Sequence, residues 1–204
     1  MLTQEELNKI ALKHYNNELE IIDPWDRELG HKQNCLRIYR YNNYAIKCIH
    51  LGLDENHIHL DTIKNGYNIT KDLDHPGIIK SHGFFSNNTI AFTVYDYIGK
   101  TFKDMLDVLS NEQKNNIMDQ IKDAIHYLWE NEITHYDLTS RNVLLRSNLE
   151  PVIIDFQVAK KMKQPLQFEN CIDMTNEKIH VQNCCGICWS VNFHILKEEV
   201  WKKA

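Results

Sequence analysis

The stretch ITHYDLTSRNVLLRSNLEPVIIDFQ, residues 133–157, decides the reading of this chain. A polar loop spans 135–142, a short apolar run 143–145, a turn Ser147-Asn148, and a second apolar run 152–154. Asp137 sits in the loop, Asn142 five residues on, and Asp155 at the end of the second run. Asp and Asn favour turns in any protein. Here, however, the flanking runs predict strands that present a carboxylate and an amide beside a second carboxylate. Phosphoryl transfer needs a base for the attacking hydroxyl, hard oxygen ligands for a divalent cation and a positive charge for the phosphates. The loop and the tip of the second run together could supply the first two.

Working outward, Ser110 and Gln113 form a capping box, and Ile117, Ile121, Ala124, Ile125 and Leu128 follow at helical spacing. A core-facing helix is expected over 111–130. Further upstream the chain reads as mostly sheet. Runs 34–41 and 44–51 are joined at Asn42-Asn43, a good hairpin turn. Runs 77–85 and 89–98 read as a second hairpin around Ser86-Asn87-Asn88. Between the hairpins, 53–73 predicts a helix of weak pattern, ended by His75-Pro76-Gly77. Thr3 with Glu6 opens an amphipathic helix over 4–17, with Leu7, Ile10, Ala11 and Tyr15 on its apolar face. A strand-rich half before a helix-rich half predicts two lobes meeting near Ile98–Thr101, with a ligand cleft between them.

Composition fits this. Hydrophobic residues at 43% and charged residues at 25% suit a globular domain, and 204 residues can bury a core without disulfides. A net charge of −5 argues against a nucleic-acid partner. No apolar run approaches the roughly 20 residues of a membrane span, and the acidic N-terminus is unlike a secretory signal. A cytoplasmic location is therefore expected, including a host cytoplasm. Cys184-Cys185-x-x-Cys188, with His180 and His194 near, is a weak zinc pattern. Buried free thiols are the default for that cluster, and the six cysteines do not look like a disulfide framework.

The central stretch resembles the catalytic and metal loops of protein kinases, H-R-D-L-x-x-x-N followed by D-F-G. His135, Asp137, Leu138 and Asn142 match the first motif, and Asp155 and Phe156 the second. Tyr44-Ala45-Ile46-Lys47 resembles V-A-I-K, His75-Pro76 resembles the H-P-N-I-I turn, and Asp96-Tyr97 resembles the hinge after a gatekeeper at Tyr95. The likeness covers roughly 25–160, in the family's order. It implies an α+β, two-lobed kinase-like fold over 1–204, with a mostly antiparallel N-lobe sheet (1–98) and a truncated helical C-lobe (99–204).

The resemblance also implies roles. Asp137 would orient or deprotonate the acceptor hydroxyl, Lys47 would contact the α/β-phosphates of ATP, and Asn142 and Asp155 would hold Mg2+. Ala45 would line the adenine pocket, and the backbone around Asp96 and Tyr97 would bond the adenine edge. Arg141, four residues after Asp137, would bring positive charge near the γ-phosphate. The implied function is transfer to a protein hydroxyl, Ser/Thr rather than Tyr.

Several positions depart from the pattern. Gly30 is the only glycine in LGHKQNCLRIYR, where the family has three; Gly66 stands at the family's helix glutamate, with Asp61 and Glu55 nearby; Tyr136 and Gln157 replace Arg and Gly. The end at Ala204 leaves out later helices, as in the minimal kinases of secreted bacterial effectors and large DNA viruses. A lobe-completing partner is accordingly expected. Two rival readings stand: a partner-binding pseudokinase and a small-molecule phosphotransferase.

Overall fold

The computed structural model describes residues 1–22, 36–53 and 58–161, together with Leu196 and Val200. The segment around Gly30, the carboxylates Asp54 and Glu55, and Cys171, Cys184, Cys185 and Cys188 with His180 and His194 lie outside the described residues. The chain divides into two units. One holds Met1–Leu73 and Ile79–Ile98, the other Asp74–Ile78 and Gly99–Ala204.

The first unit is built on a five-stranded antiparallel sheet. Its strands are β1 (Glu20–Ile21), β2 (Leu36–Tyr41), β3 (Tyr44–His50), β4 (Ser81–Ser86) and β5 (Ile90–Asp96), in the order β1-β2-β3-β5-β4. Asn42 turns the β2–β3 hairpin at φ 54°, a left-handed conformation that asparagine tolerates. Alternation then assigns the faces. Ile46, Cys48, Ile90, Phe92 and Val94 form one buried cluster with Leu7, Ile10 and Ala11 of helix α1 (Gln4–Tyr15). Ile49 and Ala91, on the opposite face, pack with Ile63 of helix α2 (Ile58–Thr70). One helix thus covers each face. The Thr3 capping box closes the start of α1, with Thr3 N–H donating to Glu6 at 2.7 Å. Cys48 is fully buried in this core, which pushes its thiol up to about 12.

The start of the 77–85 run departs from the strand expected there. Strand β4 begins only at Ser81, because Ile78 is drawn into a parallel bridge with Ile153 and Ile153 N–H donates to the Gly77 carbonyl at 2.8 Å. Segment 74–78 therefore belongs to the second unit. There, His75 Nε2 lies 3.2 Å from Asp123 Oδ2, and Asp74 N–H donates to the Tyr127 hydroxyl at 3.0 Å.

Both of these anchors stand on helix α4 (Asn111–Glu130), which starts at the Ser110–Gln113 capping box and buries Ile117, Ile121, Ala124, Ile125 and Leu128. Around it lie β6 (Lys100–Thr101), α3 (Phe102–Met105), β7 (Ile133–Thr134), β8 (Val143–Leu145), β9 (Pro151–Ile153) and β10 (Lys160–Lys161). Strand β8 is central in β6-β8-β9, and β10 pairs with β7. α4 contacts β7, the strand that leads into the 135–142 loop, and β9, the strand that precedes Asp155. The architecture is α+β, with a mostly antiparallel sheet in the first unit, as the resemblance implies.

Candidate active site

In the second unit the loop after β7 is organised by buried His135. The Asp137 N–H donates to His135 Nδ1 at 3.2 Å, which makes that nitrogen the acceptor. The proton then sits on Nε2, which lies 2.8 Å from the Ile154 carbonyl and donates to it. His135 also meets Phe156 edge-on at 4.7 Å. Burial pushes its pKa down, and the Ile154 bond and the charges of Asp155 and Asp137 oppose that only in part. A neutral imidazole thus ties the Asp137 loop to the end of β9.

Asn142 closes the loop from its other end. Its side-chain NH2 donates to the Asp137 carbonyl at 2.7 Å and to Asp137 Oδ2 at 2.8 Å. The Asn142 backbone carbonyl accepts from Ile154 N–H at 2.9 Å. Asp137, Asn142 and Asp155 are therefore connected through bonds to one residue, Ile154, or to each other. Arg141 is exposed in the same 3-10 turn, Ser140–Asn142. Asp155 adopts φ 65°, ψ 61° and Tyr136 φ 65°. Left-handed backbone at residues other than Gly or Asn costs energy and gathers at functional sites. It is affordable here because His135 and Asn142 pin both sides of the loop.

The chemistry of these donors suits magnesium. With both N–H groups of the Asn142 amide turned to Asp137, its Oδ1 is the atom left to face a cation. Among the described residues no group of three or more His, Cys, Asp and Glu is arranged to hold a metal. A hard amide oxygen and one carboxylate is the sparse set that magnesium accepts, its remaining ligands being water and phosphate oxygens.

In the first unit, Ala45 and Lys47 lie on β3, directly opposite Tyr95 and Thr93 of β5. Asp96 closes β5 opposite Tyr44, and the Tyr97 N–H donates to the Asn43 carbonyl at 2.8 Å. Lys47, Ala45, Asp96 and Tyr97 are thus held by one set of strands, while Asp137, Arg141, Asn142 and Asp155 belong to the other unit. Asp61 is exposed on α2, and Gly66 is buried there. Two supports escaped the sequence reading. His82 Nε2 lies 2.7 Å from Asp96 Oδ1, and the Arg40 guanidinium sits 4.2 Å over the Tyr97 ring. Neither spacing carries a local signal, since both pairs form only when strands align.

The protein kinase domain family matches residues 28–179, more than half of the sequence. The chain belongs to that family. It is similar to death-associated protein kinase 2 of Mus musculus, 28% identical over 118 residues, covering 54% of this chain and 32% of that protein. It is also similar to serine/threonine-protein kinase tousled-like 1 of Homo sapiens, 34% identical over 121 residues, with 54% and 16% covered. A third relative is serine/threonine-protein kinase PLK4 of Drosophila grimshawi, 26% identical over 141 residues, with 66% and 18% covered. The chain spans about a third or less of the length of these relatives.

Proposed function

We propose that this chain is an ATP-dependent protein kinase, acting on Ser/Thr hydroxyls rather than Tyr, with 1–204 as one kinase-like domain. The observation that carries the proposal is the Asn142 side-chain amide donating to Asp137 Oδ2 while the Asn142 backbone carbonyl accepts from the N–H of Ile154, the residue before Asp155. That arrangement ties the Asp137 loop to the backbone just before Asp155, which supports a base and two oxygen ligands acting together, as in-line phosphoryl transfer requires. In this reading the substrate hydroxyl oxygen attacks the γ-phosphorus as the bond to the β–γ bridging oxygen breaks. The hydroxyl proton passes to the Asp137 carboxylate, and ADP leaves. Lys47 contacts the α/β-phosphates, Arg141 adds charge near the γ-phosphate, and Ala45 with the Asp96–Tyr97 backbone receives the adenine. Asn142 and Asp155 would hold Mg2+, which when bound neutralises phosphate charge.

Two of the similar proteins are named serine/threonine-protein kinases, which supports the hydroxyl class. The reading extends to a kinase of the bacterial-effector or large-virus kind, working in a cytoplasm with a protein partner. Among the described residues no helix is long and apolar enough to cross a membrane. A second reading, a pseudokinase that binds partners, draws on Gly66 standing buried where the family has its helix glutamate.

Transfer from γ-labelled ATP with magnesium, onto the chain itself and onto a generic protein, separates the two. Asp137→Ala should lower transfer roughly 10²–10⁴-fold, the range for losing a positioned base. Equal transfer by both forms, or none by wild type, would set the kinase reading aside.

A further inference from the structure

Thr93 is 0% exposed, and its hydroxyl has no hydrogen-bond partner. Buried hydroxyls are almost always satisfied, so an orphan in a sheet interior needs a reason. Its neighbours supply one. Directly opposite residues of an antiparallel pair share a face and bring their Cβ atoms within roughly 5 Å. Thr93 is opposite Lys47 of β3 on one side and Phe84 of β4 on the other. Along the same face, the next pair toward α2 is Ile49–Ala91, sealed by Ile63, and the pair on the other side is Ala45–Tyr95. Phe84 stacks on Tyr67 of α2 at 5.7 Å. Apolar groups thus lie along the face from Thr93 toward α2 and across to β4. The polar neighbour across the ladder is Lys47, whose ammonium carries three donors and no acceptor.

We infer that Thr93 is a positioning residue for Lys47: its hydroxyl accepts one N–H of the ammonium when phosphate oxygens take the others, and so aims the cation at the nucleotide. A valine of the same shape would satisfy the packing without the buried polar atom. On stability alone, threonine is the poorer residue at this position.

This inference rests on the nucleotide role proposed above for Lys47, and the test keeps the two apart. Binding of Mg·ADP and of adenosine is measured by calorimetry for wild type, Thr93→Val and Thr93→Ser, with melting temperatures alongside. Thr93→Val should weaken ADP roughly tenfold, the scale of one hydrogen bond to a charged group. It should leave adenosine, which lacks phosphates, unchanged, and should melt higher by roughly 2–4 °C. Thr93→Ser keeps the hydroxyl and should bind ADP as wild type does, while melting lower. Unchanged ADP affinity in Thr93→Val, equal loss for ADP and adenosine, or weak ADP binding by Thr93→Ser would each overturn the inference. If wild type itself fails to bind ADP, the kinase reading falls and the inference falls with it.

Discussion

At the scale of single residues, two buried histidines couple the fold to pH. His135 is buried in the loop of the second unit, and His14 is buried on α1 against Tyr39 and His50, beside Tyr15. Burial lowers the pKa of each; the His50 charge adds to this at His14, and Asp155 and Asp137 oppose it at His135. Both imidazoles stay neutral in the folded chain at pH values where the unfolded chain binds their protons. The unfolded state then carries more protons, so stability rises with pH across that window. The contribution is complete above the unfolded histidine pKa of about 6.5 and is lost as pH falls toward the folded values. A urea midpoint lower at pH 5.5 than at 7.5 is expected, with a smaller drop in His14→Phe. The same drop in that variant would show that His14 takes no part. His135 was legible as part of the H-R-D-like motif through the resemblance alone. Its bond to Ile154, and the His82–Asp96 pair, were not, because each depends on a strand brought in from elsewhere in the chain.

At the scale of elements, two glycines test how tightly helices seat on their neighbours. A Cβ added at Gly77 would lie 2.9 Å from the Ala124 Cβ, an atom fixed to α4 with no torsion to relieve it. A Cβ at Gly83 would lie 2.9 Å from Leu7 Cδ2, the far end of a side chain that can rotate. Gly77→Ala should cost about 1–3 kcal/mol by overpacking, and Gly83→Ala clearly less, as read by chemical denaturation of the two variants. The reverse order would mean that α1, not α4, is the more rigidly held helix. Elements with a local cause were legible: the capped helices through Thr3 and Ser110, the hairpin through Asn42-Asn43, and the α4 stripe through its spacing. The Gly77-Ile78-Ile79 run was misread as strand because its apolar character is shared by strands and by connectors buried against another layer. Only the partner, Ile153, distinguishes the two.

At the scale of the whole molecule, a ligand that binds only the folded chain raises stability by mass action, about 2.7 kcal/mol at a hundred times its dissociation constant. Mg·ADP should therefore raise the melting temperature of wild type. Asp155→Ala should lose most of that rise, and adenosine without magnesium should not distinguish the two proteins. An undiminished rise in Asp155→Ala would remove Asp155 from the proposed magnesium site. The motifs that resemble the family are scattered along the chain, which is why the fold could be read from one sequence, and the protein kinase domain match covers 28–179. What could not be read is energetic. Orphaned hydroxyls, ring stacks and left-handed residues such as Asp155 arise from packing that no spacing encodes.

The passage of Asp74–Ile78 into the helical unit, between two stretches of the sheet unit, bears on how such a gene can be shuffled. A crossover after codon 98 would join a foreign second half to a connector whose mates, Asp123, Tyr127 and Ile153, had been exchanged. Chimeras made there inherit a mismatched joint even when each parent folds well. Breakpoints outside 74–153 keep the connector and its mates together as one block.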